Sequence, residues 1–309
     1  MTSARKNSLP AFPPARRRMT LAMGAMVLSA ACWGCALVMT KGALAQIPPF
    51  TLLAIQLASS VTLLWMAVAV MGVRTGLGAG NLRAAATGIF EPGLAYGLSV
   101  PGLALTNATN ASIIGAAEPA LIILIAWVFL CQRPTARLTV ALLLAVIGII
   151  LLTSINLEGS RGSDLRGDLL VLLGTACAAC YVVASSRFVA SISPLPLAAM
   201  QQTIGLGFAL SLLAGALLLG AEALPAKIAL TTILLAIVSG IVQYALAFWF
   251  YLIGLTALEP GTAGLFLALI PVFGICSAAL FLGESPVAVQ VIGAVLVIVA
   301  LIIAARPPV

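Results

Sequence analysis

The feature that most constrains this chain is an apolar run, rich in Ala, Leu, Ile and Val, that recurs along its length between short segments of Gly, Pro or charge. Each run approaches the span of a bilayer's hydrocarbon core, about 20 residues at ~1.5 Å rise per residue. Only 7% of the residues are charged, whereas a soluble domain carries about 25%. A water-facing surface cannot be built from so few. The runs also lack the period-two polarity of a transmembrane β-barrel strand. They predict an all-α membrane protein.

Gly, Pro and charge punctuation divides the chain into ten predicted spans at 19–40, 50–72, 84–104, 110–130, 136–155, 167–189, 194–219, 229–251, 261–282 and 286–305. The net charge of +7 reads as topology rather than as a nucleic-acid surface, because Arg5, Lys6, Arg16, Arg17 and Arg18 all precede the first run. With the amino terminus inside, eleven basic residues face the cytoplasm, and four (Lys41, Arg161, Arg166 and Lys227) face out. This excess predicts that both termini are cytoplasmic in a multi-pass protein. The small-residue sequence "ALAQ" at 43–46 resembles a cleavage site, but the run before it is longer than a signal-peptide core and many spans follow.

Several chemistries are excluded by what the chain lacks. It has no histidine, so zinc-protease motifs and Ser-His-Asp catalysis cannot be assembled. Both aspartates, Asp164 and Asp168, fall at the central polar segment "NLEGSRGSDLRGD", which leaves no aspartate pair within the spans. No G-x-x-x-x-G-K-[ST] loop occurs, so transport would draw on gradients or exchange. Two C-x-x-C pairs occur, Cys32/Cys35 and Cys177/Cys180, and the first resembles a redox motif, but on membrane helices such spacing more often serves close packing. No metal and no cofactor is expected, and an enzyme is disfavoured.

The two halves are related. A shift of 152 residues lays "LALTNATNASIIGAAEPALIILIAWVFLCQRP" on "LTALEPGTAGLFLALIPVFGICSAALFLGESP" without a gap, with Pro119 on Pro271 and Pro134 on Pro286. The C-x-x-C pairs correspond at an offset of 145. Five spans in each half is an odd number, so the second copy must be inverted relative to the first. The predicted organisation is a basic tail (1–18), a first repeat (19–155), an external linker (156–166), a second repeat (167–305) and a short tail (306–309). Inverted repeats of this kind are frequent in secondary transporters, whose substrate sites lie where the repeats meet.

These residues carry a family resemblance. "ACWGCALVMTKGAL" in the first span, the paired "EPALIILIAWVFLCQRPT" and "IPVFGICSAALFLGESP", and the apolar helix after each are similar to the drug/metabolite transporter superfamily, specifically to two EamA modules. The resemblance implies ten helices, with spans one, three, four, six, eight and nine around a central cavity and spans five and ten at the periphery. It also implies alternating access and export of amino acids or other small metabolites across an inner membrane. The "GE" common after the ninth span is present as Gly283 and Glu284, but the first copy has Cys131 and Gln132.

The candidate substrate-binding residues are Trp33, Glu91, Tyr96, Asn110, Glu118, Tyr181, Gln243, Tyr244 and Trp249. A carboxylate at the centre of a membrane helix costs about 2.5–3.5 kcal/mol on insertion scales, so Glu91 and Glu118 are expected to face a bundle interior or a wet cavity. Glu118 could couple proton movement to transport; a neutral acid bonded to a neighbouring helix is the alternative. Glu91 pairs with Gln243 across the repeat, and polar side chains at matched points would suit a pseudosymmetric cavity as well as interhelical bonding. Gly93 and Gly97 form G-x-x-x-G. The aromatic residues suit an apolar cavity for a small organic molecule, whereas Trp127 and Tyr251 lie near span ends and read as an interfacial belt. Asn110, or Asn107 beside it, is read as the cap of span four. Pro119 and Pro271 are expected to kink their helices, as hinges or as fixed bends.

A secondary transporter exporting a small metabolite, with an amino acid or related compound as the leading substrate, accounts best for these features. A flippase for an amphipathic lipid and a proton-coupled drug exporter are alternatives; an intramembrane enzyme is the least favoured. The expected partners are a small-molecule substrate and the lipid bilayer, without nucleic acid, and a monomer is one reading of the assembly.

Overall fold

The computed structural model describes residues 15–73, 78–105, 114–115, 117–153, 165–225, 227–282 and 287–305. Asn107, Asn110, Gly283, Glu284 and most of the central polar segment lie outside the described residues. The elements are α1 (Ala15–Ala43), α2 (Pro49–Val70), α3 (Ala79–Ala85), α4 (Ala95–Leu105), α5 (Glu118–Leu130), α6 (Ala136–Thr153), α7 (Leu165–Phe188), α8 (Pro194–Leu218), α9 (Leu230–Gly240), α10 (Ala247–Leu255), α11 (Pro260–Leu267), α12 (Ile270–Leu282) and α13 (Ala288–Ala305). No strand occurs among the described residues. α3 and α4 are joined by a 3₁₀ turn (Ala86–Ile89) and a kinked turn (Phe90–Leu94), and α9 and α10 by a π turn (Ile241–Leu246).

Among the described residues, seven helical stretches are long and apolar enough to cross a membrane: Arg17–Ala43, Pro49–Val70, Leu165–Phe188, Pro194–Leu218, Leu230–Leu255, Pro260–Phe281 and Ala288–Ala305. Glu118–Leu130 and Ala136–Leu152 are apolar but shorter. The protein is therefore a multi-pass helical membrane protein. Its outer surface matches: Val70, Leu218, Leu219, Leu280 and Phe281 are exposed, while Met26, Leu57, Ile122, Leu197 and Leu252 are fully buried. With apolar side chains on both sides, association of the helices must come from close packing and buried polar bonds.

Two boundaries move. α1 begins at Ala15, four residues before the predicted span, and α10 ends at Leu255, four residues past it. One contact links both ends: the Arg18 guanidinium donates to the Thr256 carbonyl at 2.8 Å. The long arginine stem lets the charge reach a free carbonyl at a helix end. The amino end of α2 is capped from far along the chain, since Glu222 accepts from the amides of Phe50 (2.7 Å) and Thr51 (3.2 Å). A carboxylate there satisfies first-turn donors and suits the positive end of the helix dipole.

Glu118 opens α5, with Pro119 in the first turn. Proline lacks an amide hydrogen, and at a helix start none is needed. Pro271 likewise lies in a first turn, with a helix before it. α11 ends at Leu267, Ala268 and Leu269 make tight bonds to Leu265 (3.1 Å) and Phe266 (3.0 Å), and α12 restarts at Ile270.

The packing exchanges partners between the two halves. α1 lies against α10 and α12, and α7 lies against α4 and α5; α2 pairs with α8, and α6 with α13. Shifting first-half residues onto their second-half counterparts turns each of these contacts into another of the set. The match extends to side chains: Met26 of α1 seats on Gly254 of α10, and Val171 of α7 seats on Gly102 of α4. At the α6–α13 crossing a Cβ added to Gly148 would lie 2.8 Å from the Gly293 carbonyl, and one on Gly293 2.6 Å from that of Gly148. Only glycine allows these backbones so close.

A two-carboxylate cavity between the halves

A cavity of about 260 Å³ is lined by Trp33, Leu37, Glu91, Tyr96, Glu118, Tyr181, Val182, Gln243, Tyr251, Leu267 and Ile270. Its wall draws on α1, α4, α5, α7, α10, α11, α12 and the turns at Phe90–Leu94 and Ile241–Leu246. Three pairs in it are repeat equivalents: Leu37 and Val182 at an offset of 145, and Glu91 with Gln243 and Glu118 with Ile270 at 152. The frame is pseudosymmetric and the chemistry is not. Both carboxylates come from the first half; their counterparts are an amide and an isoleucine.

The backbone changes character where the wall is made. Gln243 sits in a π turn, a local widening of the helix that recurs at functional sites, and Glu91 sits where two helices meet at a kink. Glu91 itself is extended, with φ −146° and ψ 127°. Glu118 and Ile270 each open a helix, so two helix starts face the same space.

Behind the wall, two buried amides lock this geometry in matched fashion. Gln56 Nε2 of α2 donates to Thr40 Oγ1 (2.9 Å) and Ser239 Oγ (2.9 Å). Gln201 Nε2 of α8, its equivalent, donates to Ser185 Oγ (2.9 Å) and Thr87 Oγ1 (2.6 Å). Each amide is tied to one cavity residue: Thr40 donates onward to Gln243 Oε1 at 2.9 Å, and the Tyr181 hydroxyl donates to Gln201 Oε1 at 3.0 Å. The backbones meet here too. A Cβ on Gly88 would collide with the Gln201 carbonyl, and one on Gly240 with the Gln56 backbone.

An aromatic cluster completes the wall. Trp33 meets Phe248 (5.2 Å between ring centroids) and Tyr251 (5.6 Å) edge-on, and Tyr181 meets Phe248 at 5.5 Å. Tyr96 lies edge-on to Tyr244 at 5.6 Å. These edge-to-face geometries are the favourable ones for ring pairs. Tyr251 is 1% exposed and its hydroxyl has no hydrogen-bond partner.

Of the candidates read from sequence, Trp33, Glu91, Tyr96, Glu118, Tyr181 and Gln243 come together on this wall. Tyr244 and Trp249 do not. Tyr244 follows the cavity residue Gln243 by one position, a rotation of about 100°, and lies buried against Tyr96, while Trp249 stacks on Phe250 at 5.9 Å. Asn110 lies outside the described residues. Tyr251 was assigned to an interfacial belt and is corrected to the cavity, because α10 runs on to Leu255 and places it within the helix. Gly93 and Gly97 face Phe208 of α8, with added Cβ atoms 3.4 and 3.0 Å from its ring.

Leu37, Val182, Gln56 and Gln201 were not singled out from sequence. The offset of 145 that matches the cysteine pairs also carries Leu37 to Val182 and Gln56 to Gln201, and would have found them. The cysteines are free, and Cys35 Sγ accepts from Ser277 Oγ at 3.0 Å, a packing role. Among the described residues no group of three His, Cys, Asp or Glu could hold a metal ion. A second cavity of about 350 Å³, lined by Phe90, Ile125, Phe129, Cys180, Val183, Ala184, Arg187 and Phe188, contains no carboxylate.

A model of the EamA-like transporter family matches twice, at residues 20–154 and 165–306. A solved structure titled "Crystal structure of protein" is similar over 94% of this chain and 96% of its own, with a TM-score of 0.72 and 19% identity, a likeness of fold. No curated protein matches the sequence.

Proposed function

Since this chain belongs to the EamA-like transporter family, we propose that it is a secondary transporter that carries a small organic metabolite through the cavity between its halves by alternating access. The observation that carries the reading is the cavity wall itself, built from matched positions of two modules whose helices exchange partners. A site at the junction of two similar bodies can open to either side as they rock. The volume of about 260 Å³ lies just below the ~300–1,000 Å³ typical of ligand pockets, which favours a small metabolite over a bulky drug.

The further elements of this proposal are ten spans in two inverted five-helix repeats, both termini cytoplasmic, an inner-membrane location and outward transport. Contacts near the ends of the spans support the ten-span path. Arg18 reaches Thr256, Arg187 reaches Phe129, Glu222 reaches Phe50, and Gln290 reaches Leu152. Under ten spans every one of these joins two span ends on the same side. The excess of basic residues then selects the cytoplasmic side. Glu118 is the proposed coupling carboxylate, and an amino acid or related compound is the proposed substrate.

Reconstitution of the full chain in proteoliposomes, with counterflow of labelled amino acids, amines, nucleosides and organic cations, tests the reading. Saturable, trans-stimulated uptake of one class is expected. Monodisperse protein that exchanges none of them would remove the proposal.

A further inference from the structure

The charge balance of the cavity narrows the substrate. Its wall holds two carboxylates, Glu91 and Glu118, and no lysine or arginine. An anion entering it would meet like charge without a compensating cation. An amino acid would find a partner for its ammonium and only neutral donors for its carboxylate. The helix start at Ile270 does little to help, because Pro271 carries no amide hydrogen and the Phe273 amide already donates to Leu269 at 3.0 Å. The Tyr181 hydroxyl is likewise committed to Gln201.

A cation meets the opposite situation. Both carboxylates attract it, and the half-buried Trp33 and Tyr96 in the lining add aromatic rings, which stabilise an ammonium. Tyr251 gives an independent sign of a ligand. Tyr251 lines the cavity, its hydroxyl is buried and lacks a protein partner, and buried hydroxyls are seldom left unpaired. A primary ammonium can donate to that oxygen while the carboxylates neutralise its charge. Leu267 and Ile270 make part of the lining apolar, which suits a hydrocarbon or aromatic body.

We infer that the cavity binds a small monocationic primary amine with an apolar or aromatic body, its ammonium between Glu91, Glu118 and the Tyr251 hydroxyl and its body against Leu267 and Ile270. The inference rests on the transport reading above and names the solute class for that same cavity. It sets this protein apart from a carrier of zwitterionic amino acids.

Three probes that share one body and differ in charge test it: phenethylamine, phenylalanine and phenylpropionate, each titrated at neutral pH into the purified full chain with melting temperature and equilibrium binding as readouts. Phenethylamine is expected to bind at least about tenfold more tightly than phenylalanine, and phenylpropionate not at all. Tyr251→Phe is expected to lower phenethylamine affinity about tenfold while leaving the ligand-free melting temperature unchanged or raised, because the deleted hydroxyl has no partner to lose. Glu91→Gln and Glu118→Gln are each expected to weaken phenethylamine binding.

Phenylalanine binding as tightly as phenethylamine would overturn the amine assignment and leave the transport reading standing. Binding of none of the three would also overturn it. Unchanged affinity in a folded Tyr251→Phe protein would remove the hydroxyl from the site. Failure of transport itself would appear separately, as absent counterflow across the whole panel of solutes.

Discussion

Gln56 and Gln201 stand at equivalent positions on α2 and α8, and each side-chain amide bridges two hydroxyls on helices of both halves. The pair fastens the kinked turn and the π turn to the helices that carry the cavity's polar groups. Replacing Gln201 with leucine leaves Thr87, Ser185 and Tyr181 without this partner, and a buried polar group left unpaired costs about 1–3 kcal/mol. Gln201→Leu should therefore lower the melting temperature in detergent clearly, and Gln56→Leu should do the same through Thr40 and Ser239. A melting temperature equal to wild type in both variants would show that the bridges are energetically idle.

The glycines under these amides separate close approach from flexibility. Gly88→Ala and Gly240→Ala place a methyl group against the backbones of Gln201 and Gln56, and overpacking of this kind costs about 1–3 kcal/mol. Gly207→Ala, on α8 with open space around its Cβ position, should be neutral or stabilising by up to about 1 kcal/mol. Thermal melts of the three proteins side by side check the contrast, and equal losses at all three positions would contradict it.

Glu118→Gln keeps the size of the side chain and removes its proton exchange. If this carboxylate couples transport to protons, uptake driven by a pH gradient should fall to background in the variant while its melting temperature stays near wild type. Gradient-driven flux in Glu118→Gln equal to wild type would assign coupling elsewhere.

The ten-span path makes a geometric prediction at two loops. Single cysteines introduced at Arg133 and Arg161 in a cysteine-free background should react with a membrane-impermeant reagent from opposite sides, Arg161 from outside. Reaction from the same side would mean that the number of spans between them is even.

Much of this architecture can be read from the residues, because a membrane strips the problem to its simplest terms. Apolar length marks the helices, and the proline pair marks a repeat. Six of the cavity residues announce themselves as polar or aromatic side chains where lipid would not tolerate or reward them. What escaped is set by geometry beyond sequence period. The kink at Glu91 and the π turn at Gln243 leave no mark in an apolar pattern. The helix start at Glu118 is hidden because Ala, Ile and Gly continue the apolar run ahead of α5. Tyr251 reads as interfacial because its predicted span ended on it, while the helix continues another turn. Gln56 and Gln201 are uncharged and look like ordinary packing residues until the hydroxyls around them are seen in space.

The exchange of partners between the halves also has a consequence for synthesis. α1 rests on α10 and α12, and the Gly254 that receives Met26 emerges long after Met26 itself. At about 5–20 residues per second, roughly 10–50 s pass before α1 meets the surface it was shaped for. Until then the first helix sits in lipid with its α10-facing stripe unfilled, so it settles only after most of the chain has been made. The helix made first is among the last to find its place.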